Sequence, residues 1–133
     1  VAAPARLRSI DGGQADVPKG AEGVRLVDLR PFLVRYVVEG DRILHRVVQT
    51  VAECQGIRFY CPLPGCNHQI VCWSRSRGVP EDATPGPGRW KIEGDNLGDL
   101  TLNAEAPGGA RSVQLNGGCN WHGFVTKGLV TTC

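Results

Sequence analysis

No apolar run in the chain approaches the roughly 20 residues needed to cross a bilayer, and the opening VAAPARLRSIDGG has no apolar core of the kind a secretion signal carries. The expectation is a soluble, non-secreted protein, although a mature form stripped of its leader would read the same. Charge of one sign is lacking too. A formal net charge of +2 on 21% charged residues has none of the basic excess that phosphate-neutralising proteins show, so nucleic acid is a disfavoured partner and a membrane surface is not expected. Aromatic residues are scarce at 6%, while Gly (18) and Pro (9) are plentiful. Gly and Pro interrupt helices and suit tight turns, so the mixture speaks against a helical bundle and for many short strands.

The catalytic signatures are missing as well. Neither H-E-x-x-H nor the H-x-E with P-C-x-x-C of zinc deaminases occurs; the Gly clusters lack the Lys-Ser/Thr of a phosphate-binding loop and the flanks of a nucleophile elbow; and there is no internal repeat. The acids Glu93, Asp95 and Asp99 in EGDNLGD read as solvated turn residues rather than paired catalytic carboxylates.

At 133 residues the chain has the length of one domain. Val1 to Gly23 is poor in large apolar side chains and rich in turn formers, and reads as an N-terminal arm; residues 24–133 read as one domain. VRLVDLRPFLVRYVV (Val24 to Val38) carries the period-two alternation of a half-buried strand at Phe32, Val34 and Tyr36, with Pro31 at its start or on an edge. In the next stretch Ile43, Leu44, Val47, Val48, Val51 and Ala52 recur at three-to-four spacing, which predicts a short helix capped by Asp41 and ended by Gly56; the β-branched valines make a strand across Arg46 to Val51 the competitor. From Ile57 on, IRFYC, QIVCWS, RWKIEG, LTLN, RSVQL, HGFVT and LVTT predict antiparallel strands. The longest loop, RSRGVPEDATPGPG, is the expected contact surface.

What the chain has in quantity is cysteine. GIRFYCPLPGCNHQIVCW holds three of the six cysteines and one of the three histidines, and GGCNWHGF adds another of each. Cys61 and Cys66 flank a short Pro- and Gly-containing loop, and Cys119 and His122 follow two glycines. Two close pairs far apart in sequence are the usual way to build a tetrahedral zinc site, which accepts thiolate and imidazole alike. The expectation is a Cys3His zinc site from Cys61, Cys66, Cys119 and His122, with His68 as the alternative to Cys66; disulfides and plain packing are the other readings. A thiolate-rich, four-ligand site is normally closed and structural. Cys54 and Cys72 read as buried small apolar residues, Cys133 as a free thiol or a disulfide partner, and His45 as an ordinary histidine.

The segments GIRFYCP, VCWSRSRGVP, PGPGRW, LGDLTLN and SVQLNGGCNWHGFVTKG resemble a family of small uncharacterised proteins of phages, prophages and bacteria. Its members carry a Cys-Pro cluster, an Arg-Trp pair and a terminal Gly-Cys-x-x-His followed by an aromatic strand. The resemblance covers about Val51 to the end. Members show Cys-Pro-x-Cys or Cys-Pro-Cys where this chain has CPLPGC, so the second ligand stays open between Cys66 and His68. The resemblance implies a zinc-binding β domain and carries over Cys61, Cys119 and His122.

Together these readings give a mainly β fold, a small antiparallel sheet or sandwich stapled by one structural Zn2+, with one short helix and an extended arm. The expected role is a non-catalytic interaction protein, phage-encoded, acting in the bacterial host cytoplasm or in a virion, with protein partners that include virion subunits or further copies of itself. The rival is a zinc-dependent hydrolase or an accessory of a bacterial ubiquitin-like conjugation pathway, since bacterial relatives lie near such genes. A third reading, nucleic-acid binding, would use Arg75, Arg77 and the basic arm.

Overall fold

The computed structural model describes residues 23–105, 109–115 and 119–133. The expected arm lies outside the described residues except for Gly23.

Among the described residues there are ten strands and no α-helix. In chain order they are β1 (Val24–Arg25), β2 (Phe32–Glu39), β3 (Arg42–Val48), β4 (Gly56–Tyr60), β5 (Gln69–Trp73), β6 (Trp90–Glu93), β7 (Thr101–Ala104), β8 (Val113–Gln114), β9 (His122–Thr126) and β10 (Leu129–Thr132). Short 3-10 turns occupy Leu26–Leu29, Arg75–Arg77 and Leu97–Asp99. The strands form three sheets, ordered β3-β2-β4-β5, β1-β10-β9-β8 and β6-β7, and every pairing is antiparallel. All three contribute to one core: Leu33, Ile57 and Phe59 from the first sheet, Val125 and Val130 from the second, Ile92 and Leu102 from the third. A smaller cluster of Val34, Trp73, Val79 and Ala83, with Tyr36 and Val71 against it, fills the other face of the first sheet.

The helix expected between Asp41 and Gly56 is replaced by β3 and the turn that follows it. Gly40 takes φ +62° as the first central residue of a two-residue turn between Glu39 and Arg42, a position that suits glycine in a type II′ hairpin. Asp41 is therefore a turn residue, not a helix cap. Gly56 lies in β4 beneath Trp73, where an added Cβ would come within 2.5 Å of the indole, so it ends no helix. The misleading spacing has a physical source. β3 is apolar on both faces, with Leu44 and Val48 on one side and Ile43 and Val47 on the other, and two such pairs mimic the i, i+4 repeat of a helical stripe. Pairing along the whole of β2, from Leu33 opposite Val48 to Glu39 opposite Arg42, then suits the β-branched residues better than a helix does.

Two buried charged residues organise the loops. Arg89 is 3% exposed and donates from Nη1 and Nη2 to the carbonyls of Pro80, Glu81, Ala83, Pro85 and Gly88 at 2.8–3.3 Å. The long Pro/Gly loop is thus wound around one guanidinium, whose planar fork suits several acceptors at once. Trp73 Nε1 holds the same loop through the Thr84 carbonyl at 2.9 Å. Glu105 is also buried and accepts the N–H groups of Arg75 (2.7 Å) and Ser76 (2.9 Å) and the Ser74 hydroxyl (3.1 Å), which fixes the 3-10 turn at Arg75–Arg77. Burial raises the Glu105 pKa, but these donors outweigh it and hold the carboxyl below its ordinary value.

Candidate metal centre

Cys61 follows β4 directly, and its N–H donates to the His68 carbonyl at 2.9 Å, which prolongs the β4–β5 pairing into the connecting loop. Inside that loop the Cys66 N–H closes a turn on the Leu63 carbonyl at 3.0 Å, with Gly65 at φ +76° making the reversal. The loop thereby brings Cys66 back toward Cys61. Cys119 arrives from the other side, just before β9, where Asn120 at φ 53° redirects the chain. An aromatic pair aligns the two segments: Phe59, two residues before Cys61, meets Trp121, two residues after Cys119, edge to face at 6.5 Å and 88°. Both rings are buried, and Trp121 Nε1 donates to Thr132 Oγ1 at 2.9 Å.

The result is a cluster of three sulphurs within 4.8 Å of one another. Cys66 Sγ lies 3.3 Å and Cys61 Sγ 3.5 Å from Cys119 Sγ, across sequence separations of 53 and 58 residues. Sulphurs around a tetrahedral zinc, each about 2.3 Å from the ion, stand about 3.8 Å apart. The two distances to Cys119 Sγ are therefore within about half an ångström of what one such ion requires. All three thiols are free, as are Cys54, Cys72 and Cys133.

Protonation of the cluster is uneven. Burial raises the Cys61 pKa to about 12, and hydrogen bonds with Cys119 and Cys66 add to the effect while the Leu63 N–H works against it. For Cys119 burial also pushes upward, but hydrogen bonds from Cys66, Cys61 and the N–H groups of Trp121 and Cys119 outweigh it and leave the thiol below its ordinary value. Cys119 thus ionises before Cys61 and is solvated by two S–H donors. A divalent cation held here by Cys61, Cys66 and Cys119 would take the place of those protons and favour the thiolate forms. The donor set fits a thiophilic metal such as zinc.

His68 and His122 are placed differently. His68 Nδ1 is 2.9 Å from Cys66 Sγ, at the exposed rim of the cluster. His122 lies on β9 opposite Gln114, and its carbonyl accepts the Cys133 N–H. Strand alternation points Gly123 and Val125 into the protein and His122 the other way, and its ring is not among the donors gathered within 4.8 Å. The structure therefore brings together Cys61, Cys66 and Cys119 and places His68 Nδ1 against Cys66 Sγ, but neither His68 nor His122 is among the donors that lie within 4.8 Å of one another. No carboxylate joins the three sulphurs in that group among the described residues. A hydrolytic zinc site would need one within reach of a metal-bound water.

The remaining candidates are accounted for by packing. Cys72 is fully buried and Cys54 nearly so, and burial raises both thiols above their ordinary range, with Arg77 opposing it at Cys54. Arg77 donates to the carbonyls of Val51 (2.6 Å), Cys54 (3.1 Å) and Ile92 (3.3 Å), and Arg75 Nε pairs with Glu81 at 2.8 Å, so both side chains are engaged within the protein. Sequence reasoning missed Arg89 and Glu105. The signal for Arg89 was a loop dense in Pro and Gly that ends on an arginine; Glu105, inside the turn-like AEAPGG, gave none.

No family model, curated protein or solved structure matches the chain.

Proposed function

We propose that the protein is a zinc-stapled β domain that works through its surface and not through catalysis, with the metal held by Cys61, Cys66 and Cys119 and closed off by His68. The supporting observation is the convergence of three sulphurs from two distant segments at near-tetrahedral spacing. His68 is taken as the fourth ligand because its Nδ1 lies 2.9 Å from Cys66 Sγ at the rim of the cluster, and its ring must swing inward to join the three sulphurs, since it is not within 4.8 Å of all of them. With four protein ligands the ion has no open position, so its work is to tie the β4–β5 loop to the entry of β9. Such a tie is useful in a domain whose strands are at most eight residues long and whose sheets meet in a small core.

The test is chelation. Adding a tight zinc chelator to the full chain, or making Cys119→Ser, is expected to remove the metal and lower stability by roughly 3–4 kcal/mol, about 10–15 °C in Tm. An unchanged Tm in both cases would refute the proposal.

A further inference from the structure

β3 is an edge strand, paired with β2 on one side only. The hairpin turn sets which of its groups are spent: Arg42, Leu44, Arg46 and Val48 exchange backbone hydrogen bonds with the odd-numbered residues of β2, as a two-residue hairpin requires. The even-numbered side of β2 points the other way, as shown by the Tyr36 N–H on Gln55 Oε1 at 2.9 Å and the Gln55 N–H on the Val34 carbonyl at 2.8 Å. The backbone N–H and C=O groups of Ile43, His45 and Val47 therefore face outward. None makes a backbone hydrogen bond among the described residues.

The side chains on this edge are sorted by face. Ile43 and Val47, 52% and 44% exposed, share a face with Val38 and Phe32, 58% and 41% exposed. His45 lies between them, its ring edge to face with Trp73 at 5.1 Å. On the opposite face Arg42 and Arg46 project, and neither has an ion pair or side-chain hydrogen bond among the described residues. Glu39 stands opposite Arg42, but Arg46 stands opposite Arg35, a like-charge pair that destabilises a sheet. Arg35 turns its guanidinium away to the Glu53 carbonyl at 2.6 Å, and Arg46 has no counter-charge among the described residues.

We infer that β3 is a docking edge for an extended, acidic segment of a partner protein, which adds as a fifth strand to the β3-β2-β4-β5 sheet. Main-chain hydrogen bonds to Ile43, His45 and Val47 supply the affinity. Carboxylates opposite Arg42 and Arg46 supply the charge that the like-charge pair lacks, and alternate apolar residues cover Ile43 and Val47. The N-terminal residues are a poorer match, since VAAPARLRSIDGGQADVPKGAE mixes both signs and never alternates acid with apolar residues. This inference names the partner for the surface role proposed above and rests on that reading, but not on the metal.

The experiment uses the full chain with its metal intact and two probe peptides, one alternating glutamate with valine and one alternating lysine with valine, each matching the seven residues of β3. Amide hydrogen exchange should be fast at Ile43, His45 and Val47 in the free protein and slow when the glutamate peptide is added. The lysine peptide should bind at least about tenfold more weakly, and Arg46→Glu should reverse the preference. Val47→Pro removes only an outward N–H, so the protein should fold normally and lose the peptide. Equal binding of both peptides, no protection at β3, or amides already protected in the free chain would each overturn the inference. A dimer that forms without peptide and that Val47→Pro dissociates would assign the edge to a second copy and overturn it too. A purified chain that carries no zinc and still binds the glutamate peptide would count against the metal reading and leave this one standing.

Discussion

Replacing Glu105 by glutamine changes one oxygen for an amide nitrogen and should cost the protein about 2–4 kcal/mol. The carboxylate accepts three hydrogen bonds while buried, on Oε1 from the Arg75 N–H and on Oε2 from the Ser76 N–H and the Ser74 hydroxyl. Hydrogen bonds to an ionised acceptor are each worth roughly 1.5–3 kcal/mol, partly offset by burying the charge. Glutamine keeps one acceptor oxygen and turns its NH2 toward at least one donor, so a buried N–H loses its partner. In a domain of this size the change amounts to about 7–15 °C in Tm. The pH dependence separates this cause from general loosening. Because the folded-state pKa is depressed, the contribution is fully present above the unfolded value near 4.3 and is lost as pH falls through that value toward the folded one. Urea denaturation of both proteins between pH 7 and pH 3 should show a constant gap down to about pH 5 that narrows below it. Faster amide exchange at Arg75 and Ser76 should accompany the loss. A gap under about 0.5 kcal/mol at neutral pH, or one that does not narrow in acid, would refute the reasoning.

Arg89→Met strands five loop carbonyls and should destabilise by about 3–5 kcal/mol in urea denaturation, while Arg89→Lys, with three donors on a point charge, should recover only part of that; limited proteolysis should then cut between Val79 and Gly88. Gly123→Ala would place a Cβ 2.1 Å from the Thr131 carbonyl of the neighbouring strand and 2.4 Å from the Trp121 ring, so it should cost about 3 kcal/mol by thermal denaturation and weaken metal retention by shifting the entry of β9.

The turn chemistry and short apolar runs made the β class legible, and the Cys-Pro and Gly-Cys pairs pointed to the three cysteines that the structure clusters. One feature misled: β3 carries apolar residues on both faces, and a strand of that kind looks helical in sequence. The C-x-x-H spacing at Cys119 predicted two ligands; Cys119 joins the sulphur cluster, while Trp121 is drawn into the core and His122, the first residue of β9, is not among the donors within 4.8 Å. Spacing alone does not reveal where a strand starts. The burial of Arg89 and Glu105 was hard to read for a related reason: the partners of Arg89 and two of the three of Glu105 are backbone groups, which every residue supplies, so only the Pro/Gly density before Arg89 marked either.

The most direct test of the central claim is the metal content of the purified full chain, read alongside His68→Ala and His122→Ala. The account expects about one zinc per chain, retained in His122→Ala, weakened in His68→Ala and lost in Cys119→Ser, with cobalt substitution giving the thiolate charge-transfer bands of a tetrahedral site. A protein that folds equally well without metal under reducing conditions, or one that loses its zinc in His122→Ala and keeps it in His68→Ala, would contradict it.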